Sequence, residues 1–289
     1  MGALSIRLSQ CRAERGAALM GVLNVTPDSF YDGGRYLDEE SARERVDALI
    51  EAGADIIDIG GESTRPGAPA IPAGEQLARI EPALRHAVSR RALVSVDTTD
   101  PTVAERALSI GAVCVNDVSC LADERLARAC ARHSATLIVM HSRGPMANMP
   151  GFSSYPDDAY GDVVADVLAE WRAARDRAMQ QGLARESIWF DPGIGFAKNA
   201  RHSFELIRGL GRFLDEGVPV VVGPSRKSFI NAVDPAPPDA RLGGTIAASL
   251  ACVARGAAVV RVHDVLEVRQ ALAVARGVDR GLSGEVPRA

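Results

Sequence analysis

The sequence has no long run of lysine and arginine, and its net charge is −4 over 289 residues. Nucleic acids and anionic membranes are therefore poor candidate partners, because both bind clustered positive charge. No apolar run reaches the roughly 20 residues of a membrane-spanning helix, and charges interrupt the N-terminal segment where a signal peptide needs an apolar core. These absences predict a cytoplasmic protein whose partners are small molecules.

Sequence motifs for zinc, disulfides and nucleotides are also missing. The five cysteines are odd in number and lack CxxC spacing, which indicates a reducing compartment. Without an HxxxH or Cys/His cluster, any metal should be a hard ion on oxygen ligands, such as Mg²⁺. The segment GPSRKS (223–228) lacks the glycine spacing of a phosphate loop, and DPGIGFAKN (191–199) lacks the third glycine of a dinucleotide fingerprint.

One pattern recurs along the chain: a short Val/Ile/Leu-rich run, a polar or glycine-containing segment, then an amphipathic helical stretch. The helical stretches include 38–53, 100–111, 123–134 and 243–256, several of which open on Asp or Pro and close on Gly, as helix caps predict. Eight apolar runs predict strands at 17–25, 54–61, 92–98, 112–119, 135–142, 187–193, 219–225 and 257–264.

Eight βα units in under 300 residues predict an α/β protein with the (β/α)₈ TIM-barrel fold. An open doubly wound sheet is the alternative, since a strand count does not show closure. No linker divides the chain. We therefore predict a single domain, with an N-terminal extension at 1–16, the barrel at 17–281 and a tail at 282–289. The irregular segments 62–73 and 143–158 are predicted to be long βα loops with a functional role.

Polar side chains end nearly every predicted strand, and a barrel brings such strand ends together on one face. A single Asp or Asn at such a position is often only a helix cap or an Asx turn, but the recurrence around the barrel favours a site. The strand ends contribute Asn24, Glu62, Asp97, Asn116 with Asp117, Met140 with His141, Asp191, Lys227, and Arg261 with His263.

The residue types in this ring suggest two kinds of ligand group. Lys227, Arg261 and His263 belong to the last two units, where many barrels bind phosphate, so a diphosphate is plausible. Carboxylate and amide groups of the middle units suit the N–H-rich edge of a heterocycle, because a carboxylate accepts two parallel N–H bonds. Met140, Phe190 and Phe196 either pack on the flat face of such a ligand or belong to the core.

Seven segments together resemble the dihydropteroate synthase family over about residues 19–265. They are GVLNVTPDSFYDGG, DIIDIGGESTRPGA, VSVDT, VNDVS, FDPGIGFAKN, GPSRKSFI and RVHDV, in that order. The resemblance implies a transferase of folate biosynthesis, in which 4-aminobenzoate displaces diphosphate from (7,8-dihydropterin-6-yl)methyl diphosphate. It also implies a homodimer. The small-residue-rich segment 243–258 is either a candidate surface for the second copy or simply a tightly packed barrel helix.

The resemblance also assigns roles to individual residues. The pterin would be held by Asp97, Asn116, Met140, Asp191, Phe196, Lys227 and Arg261, and the diphosphate by Asn24, Arg261 and His263. Asn24 would also help to place Mg²⁺. The 4-aminobenzoate pocket would consist of Phe30, Thr64, Arg65, Pro66, Lys227 and Ser228. The residues expected to act in the reaction are Asp97, Lys227, Arg65, Asp32 and Phe30, with residues 28–34 forming a loop that closes over the site.

Two departures from the family pattern lie beside these residues. Tyr31 stands where a small residue is common, and Cys120 follows VNDVS where glycine is expected. Two other functions remain open. A pterin-binding methyltransferase would share the barrel and the Asp/Asn pocket without needing STRPGA or SRKS. A catalytically silent pterin-binding protein would be favoured by loss of Arg65, Lys227 or His263, all of which are present.

Overall fold

The computed structural model describes residues 3–26, 39–63, 71–144 and 155–280, and all eight predicted strands are present. Each strand lies inside the apolar run that predicted it, and almost all strand residues are buried, as expected when a sheet is covered on both faces. The strands are Ala18–Asn24 (β1), Ile56–Gly60 (β2), Leu93–Asp97 (β3), Cys114–Asp117 (β4), Thr136–Met140 (β5), Ile188–Asp191 (β6), Val221–Val222 (β7) and Val259–Val262 (β8).

The strands form one parallel sheet in the order β6-β5-β4-β3-β2-β1-β8-β7. A parallel bridge between Phe190 and Val220 joins the two ends of this order, and the Phe190 amide donates to the Pro219 carbonyl at 3.0 Å. The sheet therefore closes on itself. The predicted (β/α)₈ barrel is confirmed, and the open doubly wound sheet is excluded.

Helices surround the barrel, and the four helical patterns predicted at 38–53, 100–111, 123–134 and 243–256 are confirmed. Polar caps begin several helices: the Asp100 carboxylate accepts from the amides of Thr102 and Val103, and Asp162 caps its helix in the same way. No helix in the described ranges is long and apolar enough to cross a membrane. The helices are Ala3–Arg15 (α1), Glu39–Ala52 (α2), Ala73–Ser89 (α3), Pro101–Ile110 (α4), Arg125–His133 (α5), Val163–Gln180 (α6), Ala200–Arg208 (α7), Ser228–Asn231 (α8), Leu242–Val253 (α9) and Val265–Arg280 (α10).

Helix α1 covers the N-terminal end of the barrel. Its residues Leu4, Leu8 and Cys11 pack against the lower inward-facing layer of the strands. The fully buried Asp55 carboxylate, just before β2, accepts from the Leu19 amide at 2.7 Å and pairs with the guanidinium groups of Arg7 and Arg15 on this helix. Ion pairing and apolar contact together close this end, which leaves the C-terminal strand ends as the open face.

Candidate active site

The inward-facing residues change from apolar to ionic along the barrel axis. Alternate residues of a strand face the same side, so Ile56 is followed at the next inward position of β2 by Asp58, and Val259 on β8 by Arg261. The lower layer is an apolar cluster that includes Met20, Ile56, Cys114, Ile138, Trp189, Val221 and Val259. The upper layer is polar and lines a pocket at the C-terminal strand ends.

Arg261 lies at the centre of the polar layer, between two buried carboxylates. Its Nε donates to Asp58 Oδ2 at 2.6 Å, and its Nη2 donates to Asp97 Oδ2 at 2.7 Å. Asn116 Nδ2 also donates to Asp58 Oδ2, at 3.0 Å. Because an ionised carboxylate only accepts, Asp58 fixes the amide orientation of Asn116 and leaves its Oδ1 as an acceptor for the pocket.

Two carboxylate oxygens of this cluster retain unused acceptor capacity. Asp58 Oδ1 and Asp97 Oδ1 are buried, and neither receives a hydrogen bond from the described residues. Burial raises the pKa of Asp97 to about 7, with Arg261 opposing the rise and Asp58 adding to it. A buried acceptor without a donor is costly, so a ligand that brings N–H groups to this position gains affinity.

Asp191 is held rigidly at the end of β6. Its Oδ1 accepts from the Gly193 amide at 2.7 Å, and its backbone carbonyl accepts from the His141 amide at 2.8 Å. Gly193 has φ +67°, and a Cβ there would lie 2.0 Å from the His141 carbonyl oxygen, so the turn requires glycine. Burial raises the pKa of Asp191 to about 6, while the Gly193 amide and Lys227 oppose the rise.

Lys227 lies across the pocket on the loop that precedes α8. Its Nζ donates to the Ile194 carbonyl at 3.2 Å and lies 3.6 Å from the centroid of the Phe196 ring, within the range of a cation–π contact. Burial lowers the pKa of Lys227 to about 7, against the opposing effect of Asp191. Phe196 and Met140 belong to one small apolar cluster, which supplies the flat walls of the pocket.

His263 directly follows β8, two residues beyond Arg261, and contacts Ser225. Ser225 Oγ lies 2.9 Å from His263 Nδ1 and accepts from the His263 amide at 3.3 Å. Burial and the adjacent Arg261 lower the pKa of His263 to about 4, so its ring is neutral at pH 7. When the Ser225 hydroxyl donates to Nδ1, the ring N–H lies on Nε2 and serves as a neutral donor beside the Arg261 cation.

The model of the pterin-binding enzyme family matches residues 20–263. The chain belongs to this family. It is 41% identical over 262 residues to the dihydropteroate synthase of Synechocystis sp., covering 89% of the chain and 88% of the relative. The dihydropteroate synthase of Xanthomonas albilineans, solved with 4-aminobenzoic acid, superposes with a TM-score of 0.84 at 38% identity, covering 91% of this chain and 93% of that one.

A longer relative is also similar. The probable bifunctional folylpolyglutamate synthase/dihydropteroate synthase of Haloferax volcanii is 42% identical over 260 residues, which cover 90% of this chain and 30% of that protein. The chain thus spans less than a third of this relative and most of the Synechocystis enzyme. These relatives confirm the resemblance to dihydropteroate synthases.

All seven residues predicted to hold the pterin line one pocket. They comprise two cations (Lys227 and Arg261), two carboxylates (Asp97 and Asp191), one amide (Asn116) and two apolar side chains (Met140 and Phe196). The pocket is lined by Asp97, Asn116, Met140, Asp191, Phe196, Lys227, Arg261 and His263. The residues predicted for the pterin therefore lie close together, while the pterin-binding role of the set and of each member stays a prediction.

Asn24 ends β1, level with Gly60 of β2, which in turn pairs with Asp97 of β3. Within the described ranges no three His, Cys, Asp or Glu side chains come together as a metal cluster. A single amide oxygen fits Mg²⁺, which keeps several waters and takes its remaining ligands from substrate phosphate. The predicted metal role of Asn24 is compatible with this position and stays a prediction.

The predicted residues Phe30, Asp32, Thr64, Arg65 and Pro66 lie outside the described residues, as does Tyr31. Glu62 lies beside the second of these segments: its Oε1 accepts from the Ile71 amide at 3.1 Å and its Oε2 from Gln76 Nε2 at 3.3 Å. Glu62 therefore connects the residues that follow β2 with Ile71 and with Gln76 on α3. Ser228 is the first residue of α8, directly after Lys227.

Three of the residues considered for the site, Phe190, Asp117 and His141, do not line the pocket. Phe190 is fully buried between Trp171 and Phe213, with ring centroids 4.4 and 4.8 Å away, so its ring belongs to the core and the ligand-stacking interpretation is wrong for this residue. The Asp117 carboxylate accepts from the amides of Ser119 and Leu121, which is the turn role of an aspartate. His141 points to the outer side of β5.

Cys120 occupies a position where glycine is conformationally favoured. Its φ is +59°, in the left-handed region, and Leu121 follows with φ +55°. Arg177 Nη2 donates to the Cys120 carbonyl at 3.0 Å and holds the turn. The departure from the family pattern therefore carries backbone strain without removing a side chain that lines the pocket.

Asp58 and Lys198 were missed by sequence reasoning. Asp58 lies inside the apolar run of β2, where the only signal is a charge that must find a partner once buried. Lys198 follows the loop after β6 and is fully buried. Its ammonium reaches His141, 57 positions earlier and directly after β5, so no local pattern in the sequence reveals its role.

Proposed function

We propose that this protein condenses (7,8-dihydropterin-6-yl)methyl diphosphate with 4-aminobenzoate, giving 7,8-dihydropteroate and diphosphate. The observation that carries the proposal is the ionic layer inside the barrel, which presents two carboxylates, an amide and two cations between apolar walls. The Synechocystis and Xanthomonas proteins that it resembles are dihydropteroate synthases, and the second was solved with 4-aminobenzoic acid.

The pterin would bind through complementary hydrogen bonds. Asp191 accepts the two N–H groups of the amidine edge, because its carboxylate is held in one orientation by Gly193. Asn116 Oδ1 and the donor-less Asp97 Oδ1 accept further ring N–H groups. Lys227 donates on the opposite side, to O4 and N5, while Met140 and Phe196 cover the ring faces.

The diphosphate would lie toward β8 and β1. Arg261 is a permanent cation there, and neutral His263 adds an N–H donor at its side. Asn24, with waters and phosphate oxygens, would hold Mg²⁺. When bound, this ion neutralises charge on the leaving diphosphate.

The bond-breaking step follows from the charges. The C–O bond to the pterin methylene breaks and its electron pair leaves with the diphosphate, where Arg261 and His263 stabilise the growing negative charge. The electron-rich dihydropterin spreads the positive charge that remains, and the carboxylate of Asp97 offsets it. We infer that dissociation precedes attack, because the two charges are stabilised at separate places in the pocket.

The attack itself needs positioning more than base catalysis. The amine nitrogen of 4-aminobenzoate is a weak nucleophile, and its lone pair forms the new C–N bond with the methylene carbon. The proton then released from nitrogen passes to solvent. Phe30, Thr64, Arg65, Pro66 and Ser228 would hold the aminobenzoate, with residues 28–34 excluding water.

One assay tests the proposed function against its alternatives. Purified protein is incubated with the pterin diphosphate, 4-aminobenzoate and Mg²⁺, and dihydropteroate is followed, with Lys227→Met as the inactive control. Formation of dihydropteroate that depends on all three additions is expected. Pterin binding without turnover would instead identify a silent pterin-binding protein, and methyl transfer from a reduced folate would identify a methyltransferase.

A homodimer is proposed through the face of α9. This helix is rich in small and apolar residues, and only Thr245, Ser249 and Cys252 of it are buried in the described protein. Ile246, Leu250 and Val253 are half-exposed, which is an apolar surface that a second copy would cover. Sedimentation of Leu250→Glu beside the unmodified protein tests this: the variant should be monomeric, and an unchanged dimer would place the interface elsewhere.

We also propose a cytoplasmic location. All five cysteines are free thiols, and Cys11, Cys114, Cys130 and Cys252 among them are buried. Burial raises the pKa of Cys11, Cys130 and Cys252 to about 12, so these thiols are unreactive. Such a set suits a reducing compartment, and fractionation of the producing cells tests the location.

A further inference from the structure

Lysine is almost absent from the chain. Of the 33 basic residues, only Lys198 and Lys227 are lysines, and all the others are arginines. Lys227 lines the pocket, whereas Lys198 is fully buried behind it. In a chain that uses arginine at every other basic position, these two sites hold the smaller cation, whose three N–H donors radiate from one atom.

The Lys198 ammonium is surrounded by three acceptors. Its Nζ lies 2.9 Å from His141 Nδ1, and it donates to the Phe196 carbonyl at 2.9 Å and to the His141 carbonyl at 3.4 Å. Three donors thus meet three acceptors. Lys198 thereby joins the β6–α7 loop, which contains Phe196, to His141, which directly follows β5.

Glu170, on the outer helix α6, determines which atoms donate and which accept in the hydrogen bonds from Glu170 through His141 to Lys198. The His141 interaction and Arg143 lower the pKa of Glu170 on α6 to about 2, so this carboxylate is ionised and only accepts. Glu170 Oε2 lies 2.9 Å from His141 Nε2, which must carry the ring hydrogen. His141 Nδ1 then has a free lone pair and accepts from Lys198.

This network lies directly behind the pterin pocket. Met140, the neighbour of His141, faces the pocket, and the His141 amide donates to the Asp191 carbonyl at 2.8 Å. The Phe196 carbonyl is bound by Lys198, while its ring lines the pocket. Lys198 therefore binds backbone carbonyls in two segments, and each segment places a side chain in the pocket: Met140 beside His141, and Phe196 itself.

We propose that Lys198 is a positioning residue for the pterin: its buried ammonium holds Phe196 directly by its backbone carbonyl and holds Asp191 through His141, so that both side chains keep their places in the pocket. This inference rests on the proposed function, since it concerns the same pocket. Lys198 itself does not line the pocket, so it acts through the residues that it holds.

The charge of Lys198 is balanced by groups on several elements. Burial lowers the pKa of Lys198 to about 7, and Asp191 opposes that effect most strongly. Reciprocally, the charge of Lys198 opposes the rise that burial causes in the pKa of Asp191. Asp191 is on β6; the other titratable or charged groups that face Lys198 are His141 and Arg143 after β5, Glu170 on α6, Cys120 after β4 and Tyr160 before α6.

The first test compares two variants that each remove a buried cation. Lys198→Met should weaken pterin binding roughly 10- to 100-fold. The decrease of pterin affinity in acid should also begin at a higher pH, because Asp191 loses a neighbouring positive charge and its pKa rises. The KM for 4-aminobenzoate should change by less than about twofold. Arg15→Met removes a cation at the other end of the barrel and should leave pterin binding and its pH profile unchanged. Pterin calorimetry between pH 5 and 8 measures all three proteins.

The outcomes are distinguishable. If the unmodified protein does not bind pterin, the proposed function is wrong. If it binds and Lys198→Met binds equally well at every pH, or loses no more affinity than Arg15→Met, Lys198 only supports the fold and the inference is wrong.

A measurement on the unmodified protein covers the case in which Lys198→Met does not fold. Protein labelled with ¹³Cε-lysine gives two side-chain NMR signals, which Lys227→Arg assigns. Pterin binding fixes Asp191 as an anion, so the pKa of Lys198 should rise when pterin is added. An unchanged Lys198 titration in the complex would overturn the inference.

Discussion

The guanidinium of Arg261 and the carboxylate of Asp58 form a buried ion pair between residues 203 positions apart, with Nε 2.6 Å from Oδ2. Asp58 is fully buried, and the same oxygen also accepts from Asn116. Both pocket-lining partners of Asp58 are thus oriented from below by one carboxylate. Because an unpaired buried charge is costly, this pair fixes the floor of the pocket.

The Asp58→Asn variant tests this floor. The amide keeps the size of the side chain and one acceptor oxygen, but it removes the charge that pairs with Arg261 and puts an N–H donor in place of the second oxygen. We expect a loss of about 2–4 kcal/mol in the free energy of unfolding and a roughly tenfold weaker pterin affinity. Urea unfolding and pterin calorimetry measure the two effects.

The matched control is Asp239→Asn, the same chemical change at an exposed position. It should leave both quantities within error of the unmodified protein. If Asp58→Asn behaves like this control, the ion pair does not organise the pocket.

The fold was predictable because its signal is spread over many residues. Eight apolar runs and the capped helices between them identify the strands, and this does not require knowing whether each side chain points into or out of the barrel. The site was predictable where a polar residue ends a run, as at Asp97, Asp191 and Arg261. Sequence alone did not show which face a residue takes, and a shift of one position reverses it. Phe190 therefore packs outward beside the inward-facing Trp189, and His141 contacts Glu170 on the outer helix α6 beside the inward-facing Met140.

Pterin affinity should depend on pH with a maximum near neutrality. Asp191, with its pKa raised to about 6, must be ionised to accept two N–H groups, so affinity falls as pH decreases through that value. Lys227, with its pKa lowered to about 7, must be protonated to donate, so affinity also falls as pH increases. Between pH 6.5 and pH 5 the affinity should drop roughly tenfold.

The Asp191→Asn variant assigns the acid limb. Its amide places an N–H against a ligand N–H, and pterin binding should weaken by about 2–4 kcal/mol at neutral pH. It should also lose the part of the decrease in acid that Asp191 causes, and any decrease that remains is then due to another carboxyl group such as Asp97. Unchanged affinity in this variant would remove Asp191 from the site, and a retained acid limb would assign that limb to another group.

The substrates are expected to bind in order. If diphosphate and Mg²⁺ organise the first two βα loops, 4-aminobenzoate should bind weakly to the free protein and well once pterin and diphosphate are present. Calorimetry of 4-aminobenzoate with and without these ligands measures the difference, and a chelator should abolish it. Equal affinity under all conditions would contradict the ordered model.

Backbone strain at Ser134 gives a stability prediction. This exposed residue ends α5 with φ 52° and ψ 35°, in the left-handed region that glycine adopts at no steric cost. Ser134→Gly should raise the free energy of unfolding by about 0.5–1 kcal/mol. Ser109→Gly, at an exposed position within α4, should lower it by a similar amount, about 0.5–1 kcal/mol. Urea unfolding that moves both variants in the same direction would contradict this explanation.

The Arg65→Ala variant separates a synthase from a methyltransferase. Arg65 lies outside the described residues, but Glu62 bonds to Ile71 and Gln76 on the far side of its segment. In the proposed function this segment closes over the bound cation and helps to hold 4-aminobenzoate. Arg65→Ala should therefore lower kcat/KM for 4-aminobenzoate by roughly 30- to 150-fold, which corresponds to about 2–3 kcal/mol, while pterin affinity stays nearly intact.

A sulfonamide mimic of 4-aminobenzoate should lose affinity for Arg65→Ala in parallel, because it would occupy the same pocket. The neighbouring Arg79→Ala is the control: Arg79 donates to the Gly61 carbonyl at 2.9 Å from α3, so its loss affects the base of the segment without removing the proposed substrate contact. Steady-state kinetics for both substrates, with direct pterin titration, compares the two variants. If Arg65→Ala weakens pterin binding as much as aminobenzoate use, or changes neither, the second loop is only a scaffold and the synthase assignment loses its most discriminating support.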